Sequence, residues 1–92
     1  MLVRKKPIEI RAWRGFELIN LAALGLPNLP AEIRQGLADG KLNINPRAIA
    51  IKTVEGNLTF CKSTDYLMFG TDGQFYPRTS EAFEDSYEIV EP

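Results

Sequence analysis

Histidine is absent from these 92 residues, and cysteine occurs once, at Cys61. Without imidazole there is no Ser-His-Asp triad, no Cys-His dyad and no histidine metal ligand, and a single thiolate cannot build a zinc site. Hydrolases of those kinds are excluded. One cysteine also excludes an internal disulfide, which fits a reducing compartment. No apolar run approaches the roughly 20 residues that span a bilayer. The opening MLVRKKPIEI lacks the apolar region of a secretory signal. The reading is a soluble chain with no membrane partner. Excess charge is missing too: the net value is -1, so no global field points to nucleic acid.

What remains is ordinary globular material. Hydrophobic residues make up 45% and charged residues 25%, which argues against disorder, and the length holds one domain, residues 1–92. Six of the nine aromatic residues fall between Tyr66 and Tyr87, and the chain reads as a scaffold around that stretch. Residues 66–69 and 74–78 are rich in strand formers, and Gly70-Thr71-Asp72-Gly73 between them predicts a β-hairpin with positive φ angles at Asp-Gly. Pro77 cannot donate to a ladder, so that strand is expected at an edge or at its end. Thr79 and Ser80 offer hydroxyls to a helix start, followed by Glu81, Glu84 and Asp85, where the dipole favours acids. Phe83 and Tyr87 share a helical face, and residues 87–90 return to an extended form. Phe69, Phe75, Phe83 and Tyr87 are assigned to the core.

Upstream, residues 3–13 alternate, with Ile8, Ile10 and Ala12 on one face and Glu9, Arg11 and Trp13 on the other. Pro7 and the cluster Arg4, Lys5, Lys6 mark an edge strand. The run FELINLAALGL after Gly15 reads as a helix broken by Gly25, Pro27 and Pro30. Pro30 is expected at the first position of a second helix, in which Ile33 and Leu37 face inward, Gly36 is a weak point and Gly40 closes the end. Residues 48–54 alternate, with Ile49 and Ile51 inward, and LTFCK returns after Glu55-Gly56-Asn57. The expected fold is α+β. It has a small antiparallel sheet of five or six strands, open or partly closed as a barrel, with a helical insertion after the first strand and a short helix before the last.

Arg4-Lys5-Lys6-Pro7-Ile8-Glu9-Ile10, then Ile51-Lys52-Thr53-Val54-Glu55-Gly56-Asn57, then Asp65-Tyr66, Gly70, Gly73, Phe75-Tyr76-Pro77, Phe83-Glu84 and Tyr87-Glu88 carry a resemblance. The chain resembles a family of small bacteriophage and prophage accessory proteins. These open with R-K-K-P-V, carry a central I-K-T-L-E-G-like hairpin and end in P-G-D-Y-I-I-x-G-V-x-G-E-F-Y-P-C-K-P-D-I-F-E-x-T-Y-E. Most of the chain matches in order; the region 16–45 matches only in kind. Ser63-Thr64 replaces the family's P-G, and Arg78-Thr79-Ser80-Glu81 replaces C-K-P-D. The resemblance implies phage origin, a compact α+β fold and a site of action in the cytoplasm of the infected bacterial host. It implies no mechanism and no functional residues.

Chemistry must therefore come from the residues present. Glu81, Glu84, Asp85 and Glu88 are close enough in sequence for a divalent cation or for acid–base work, but a solvated helix face accounts for them more simply. Gly70-Thr71-Asp72-Gly73 lacks the spacing and the following Lys-Ser/Thr of a phosphate loop. Cys61, between Phe60 and Lys62, reads as a small half-buried residue rather than a nucleophile. Charge is segregated: residues 1–14 carry five bases and one acid, and residues 79–92 carry five acids and no base. Cross-strand complementarity explains this if the first and last strands are neighbours. Aromatic residues also stand beside bases, with Trp13 between Arg11 and Arg14, and Tyr76 two residues from Arg78. An aromatic platform with an arginine fork suits a nucleotide, so Arg11, Trp13, Arg14, Tyr76 and Arg78 are the candidate ligand-binding residues, although core or interface packing accounts for Trp13 more simply.

These readings point to a non-catalytic protein without cofactors that binds and inhibits a host or anti-phage defence protein. The alternative is a homo-oligomer that sequesters a small nucleotide, and a carboxylate- and metal-dependent enzyme is a weaker third.

Overall fold

A computed structural model describes residues 1–2 and 10–86. The order is β1 (Arg11–Arg14), α1 (Gly15–Leu24), a 3-10 turn (Leu26–Asn28), α2 (Ala31–Ala38), β2 (Leu42–Ile44), β3 (Ala48–Lys52), β4 (Leu58–Lys62), β5 (Tyr66–Phe69), β6 (Phe75–Arg78) and α3 (Ser80–Ser86). The fold is α+β, with helices inserted after β1 as the apolar run following Gly15 predicts. The strands form two sheets of three, β1-β5-β6 and β2-β3-β4, rather than the single sheet expected from sequential hairpins. All pairings are antiparallel.

The split originates at the corner between β4 and β5. The Asp65 N–H donates to the Lys62 carbonyl at 3.0 Å, and the Lys62 N–H to Asp65 Oδ2 at 3.0 Å, which turns the chain sharply. The carbonyls of Ser63 and Asp65 then accept the Phe16 and Gly15 N–H groups at 3.0 and 2.8 Å. The first N–H groups of a helix have no intrahelical acceptor, so this corner satisfies two donors at the start of α1. Gly15 permits the approach, because a Cβ there would run into the Lys62 carbonyl oxygen.

The β3–β4 and β5–β6 hairpin turns take one form. Gly70 N–H donates to the Gln74 carbonyl and Gly73 N–H to the Gly70 carbonyl, just as Thr53 bonds Asn57 and Gly56 bonds Thr53. Gly73 and Gly56 have φ values of +79° and +87°, the left-handed residue that closes a three-residue loop. The positive φ predicted for Asp72 is not needed; its carboxylate instead accepts the Gln74 N–H at 3.1 Å. Among the described strands Pro77 lies on an edge, in β6, as its missing donor requires. Pro30 stands one residue earlier than expected, at the cap position of α2, where its carbonyl accepts the Arg34 N–H. At α3 the Thr79 hydroxyl accepts the Ala82 N–H, whereas Ser80 donates to the Thr64 carbonyl. The strand expected at 87–90, Tyr87, Glu88, and the edge cluster at residues 4–7 lie outside the described residues.

The main core lies between the two sheets and the first two helices. Leu18, Leu29, Ile33, Leu42, Ile49, Ile51, Cys61, Leu67 and Phe75 are buried there, with Trp13, Leu37 and Phe69 packed against them. A second cluster, Tyr66, Met68 and Phe83 with Ile10, Ala12 and Tyr76, covers the other side of the β1-β5-β6 sheet. That sheet therefore packs apolar side chains on both faces. Predicted core residues Phe75 and Phe83 are buried and Phe69 is half-buried. Cys61 is fully buried rather than half-buried.

Candidate functional site

Strand pairing divides the five candidate ligand-binding residues between the two faces of one sheet. Arg14 is opposite Tyr66, which is opposite Arg78, and Ala12, Met68 and Tyr76 form the next row on the same face. Arg11 and Trp13 alternate to the opposite face. Arg14, Tyr76 and Arg78 are thus brought together, while Arg11 and Trp13 are separated from them by the sheet.

Tyr66 organises the first group. Its ring stacks on Phe83 at 3.8 Å between centroids with planes 10° apart, so one face is taken. The Arg14 guanidinium carbon lies 4.7 Å from the same ring centroid, and 5.9 Å from that of Phe16. A cation over an aromatic face is held by the ring quadrupole, so Arg14 has a protein partner already. Neither Tyr66 nor Phe83 was singled out as part of this group from sequence; the only signal is the hairpin register, which puts Tyr66 between the two arginines.

On the opposite face Trp13 packs against the main core. Arg11 Nε meets Glu32 Oε2 at 2.8 Å, tying β1 to α2. Both line an open groove of about 410 Å³ with Phe69, Gly70, Thr71 and Gly73. Its walls offer one ion pair that is already closed and little else to bind a charged ligand.

The carboxylates of α3 are solvated: Glu81, Glu84 and Asp85 are exposed. Among the described residues no group of three His, Cys, Asp or Glu stands ready to hold a metal ion. Burial, followed by the Asp65 charge, pushes the Cys61 thiol up to about 12, which keeps it protonated and unreactive. No described helix is long and apolar enough to cross a membrane.

The β2-β3-β4 sheet carries what the sequence reading missed. Ile49 opposite Cys61 and Ile51 opposite Thr59 set its inward face. By alternation Leu58 and Phe60 point outward, and they are 64% and 55% exposed. An inward cysteine is usual, but an outward phenylalanine reverses the usual preference. The signal was present in the inward assignment of Ile49 and Ile51, because an odd three-residue turn then forces Phe60 to lie opposite Ala50 on the outer face. Leu24 and Leu26, at the end of α1 and in the following turn, are also exposed.

No protein-family model, no curated protein and no solved structure matches this chain.

Proposed function

We propose that this chain is a bacteriophage accessory protein that acts by binding, without catalysis, and inhibits a host or anti-phage defence protein in the infected cell. The phage assignment rests on the resemblance of its R-K-K-P opening and its aromatic C-terminal half. The binding assignment rests on one observation: large apolar side chains, Leu58 and Phe60 on β4 above all, stand in water although the interior is already filled by its own apolar residues. Contiguous apolar surface on a small domain marks a place where another molecule sits.

The nucleotide-sequestering reading is second. It needs Arg11, Trp13, Arg14, Tyr76 and Arg78 to converge, and within one chain they lie on both faces of a sheet, so it requires further copies of the chain to supply a complete pocket. Native mass spectrometry on protein purified gently from infected host cells tests the choice. A stoichiometric complex with a host polypeptide is expected. A defined homo-oligomer carrying a small mass lost on denaturation would overturn the first reading in favour of the second.

A further inference from the structure

We propose that the outward face of the β2-β3-β4 sheet is the docking surface, and that its occupant is an acidic protein segment bearing apolar side chains. The inference rests on the reading of the chain as a binding protein and adds where it binds and what chemistry it selects.

Register lays the face out in three rows. Asn43, Ala50 and Phe60 form the central row. Lys52 and Leu58 pair in the next, and the Lys52 N–H donates to the Lys41 carbonyl at 2.9 Å, which extends that row to Lys41. The third row pairs Ala48 with Lys62, and the Asn45 N–H donates to the Ala48 carbonyl at 3.1 Å. The alanines leave the surface low beside Phe60 and Leu58, so an apolar side chain from outside has two walls to pack on.

The charges identify the visitor. Lys52 stands beside Leu58 and Lys62 beside Phe60, with Lys41 one strand further out, and no carboxylate occupies any position of the three rows. None of the three lysines makes an ion pair with a described carboxylate. Lys41 and Lys52 are direct cross-strand neighbours, and like charges so placed repel. A carboxylate arriving between them removes that repulsion. From residue 41 to 62 the chain has four bases and one acid, Glu55, which lies in the turn beyond the strands; this is net +3 in a chain of net -1.

A nucleic acid fits less well. Phe60 is the single ring on the face, Leu58 beside it offers no π-surface for a base, and the remaining residues sum to -4, which repels a long polyanion.

Fluorescence anisotropy with a dye-labelled peptide of alternating Glu and Leu tests the surface directly. A Lys-Leu peptide and a single-stranded oligothymidylate serve as competing probes. The Glu-Leu peptide should bind best. The double substitution Lys52→Glu/Lys62→Glu and the single substitution Phe60→Ser should each weaken it at least tenfold, and Leu24→Ser on α1 should leave it unchanged. These positions are exposed, and unchanged melting curves confirm that each variant folds. Absence of Glu-Leu binding, equal binding of the Lys-Leu peptide, or tighter binding of oligothymidylate would overturn the proposal. So would self-association abolished by the same charge reversal, which would make a second copy the occupant. The two readings fail separately. A captured host protein that still binds the charge-reversed variant refutes this surface alone, whereas a bound small molecule or catalytic turnover refutes the binding-protein reading itself.

Discussion

Two glycines show how single positions carry the fold. In α2, alanine is preferred over glycine by about 1 kcal/mol on helix propensity alone. At Gly36, however, a Cβ would come within 2.8 Å of Phe75 Cε2 and 2.9 Å of Leu42 Cδ1. The weak point in the helix is a point where helix and sheet side chains approach too closely for a Cβ. Gly15→Ala is the harsher change, because the clash is with backbone at the β4–β5 corner, where a carbonyl cannot swing aside as a side chain can. Overpacking costs about 1–3 kcal/mol and sometimes more. Urea denaturation should place Gly15→Ala at the upper end of that range and Gly36→Ala below it but still destabilised. A Gly36→Ala protein more stable than the parent would show that propensity outweighs the contact. The opposite change, Phe75→Ala, empties a site shared by both sheets and α2 and should cost about 3–5 kcal/mol by the same measurement.

Cys61 gives a pH prediction at the same scale. Burial raises its pKa from 9.0 to about 12 in the folded chain. Above pH 9 the unfolded chain loses this proton while the folded chain keeps it, so the folded state binds more protons and stability falls as pH rises. The loss should run from about pH 9 towards 12 and be smaller in Cys61→Ala when each protein is compared with its own stability at pH 7. A thiol reagent at pH 8 should react with Cys61 only as the chain unfolds. Rapid reaction of the native protein would contradict its burial.

Among the elements, β1 has apolar packing on each of its faces. Its alternation was legible: Ile10 and Ala12 do share a face, and Trp13 does lie on the other. Which face is inner was not legible, because α3 covers one and the main core the other. The Arg11–Glu32 pair at its edge contributes little to holding it. Arg11 is 70% exposed, and exposed pairs are worth about 0–1 kcal/mol. Arg11→Ala should therefore leave the urea midpoint nearly unchanged. A loss well above 1 kcal/mol would mean that the pair anchors β1 to α2.

For the whole molecule, the two sheets share one core. Leu67 and Phe75 of the first pack in one cluster with Ile49, Ile51 and Cys61 of the second. Such a core unfolds as a unit. Trp13 fluorescence, which reports on the first sheet, and far-ultraviolet circular dichroism, which reports on all elements, should give superimposable denaturation curves. Separate midpoints would show that the sheets melt independently.

The amino-acid sequence by itself determined most of the elements, though not β2, which no alternation marked, and the histidine-based chemistry that is impossible. Glycine at the third residue of the β3–β4 and β5–β6 loops, proline before α2 and in strand β6, and threonine ahead of α3 act within a few residues, so local backbone sterics decide them. The absence of histidine does the same for the histidine-based active sites it removes. Tertiary structure alone decided how those elements share surfaces. Two carbonyls at residues 63 and 65 are taken by the start of α1, fifty residues upstream, and this divides one expected sheet into two. Burial is set by what packs opposite a side chain, which alternation cannot specify. For that reason Tyr66 came between two arginines unseen, and Phe60, read as an ordinary strand residue, faces water.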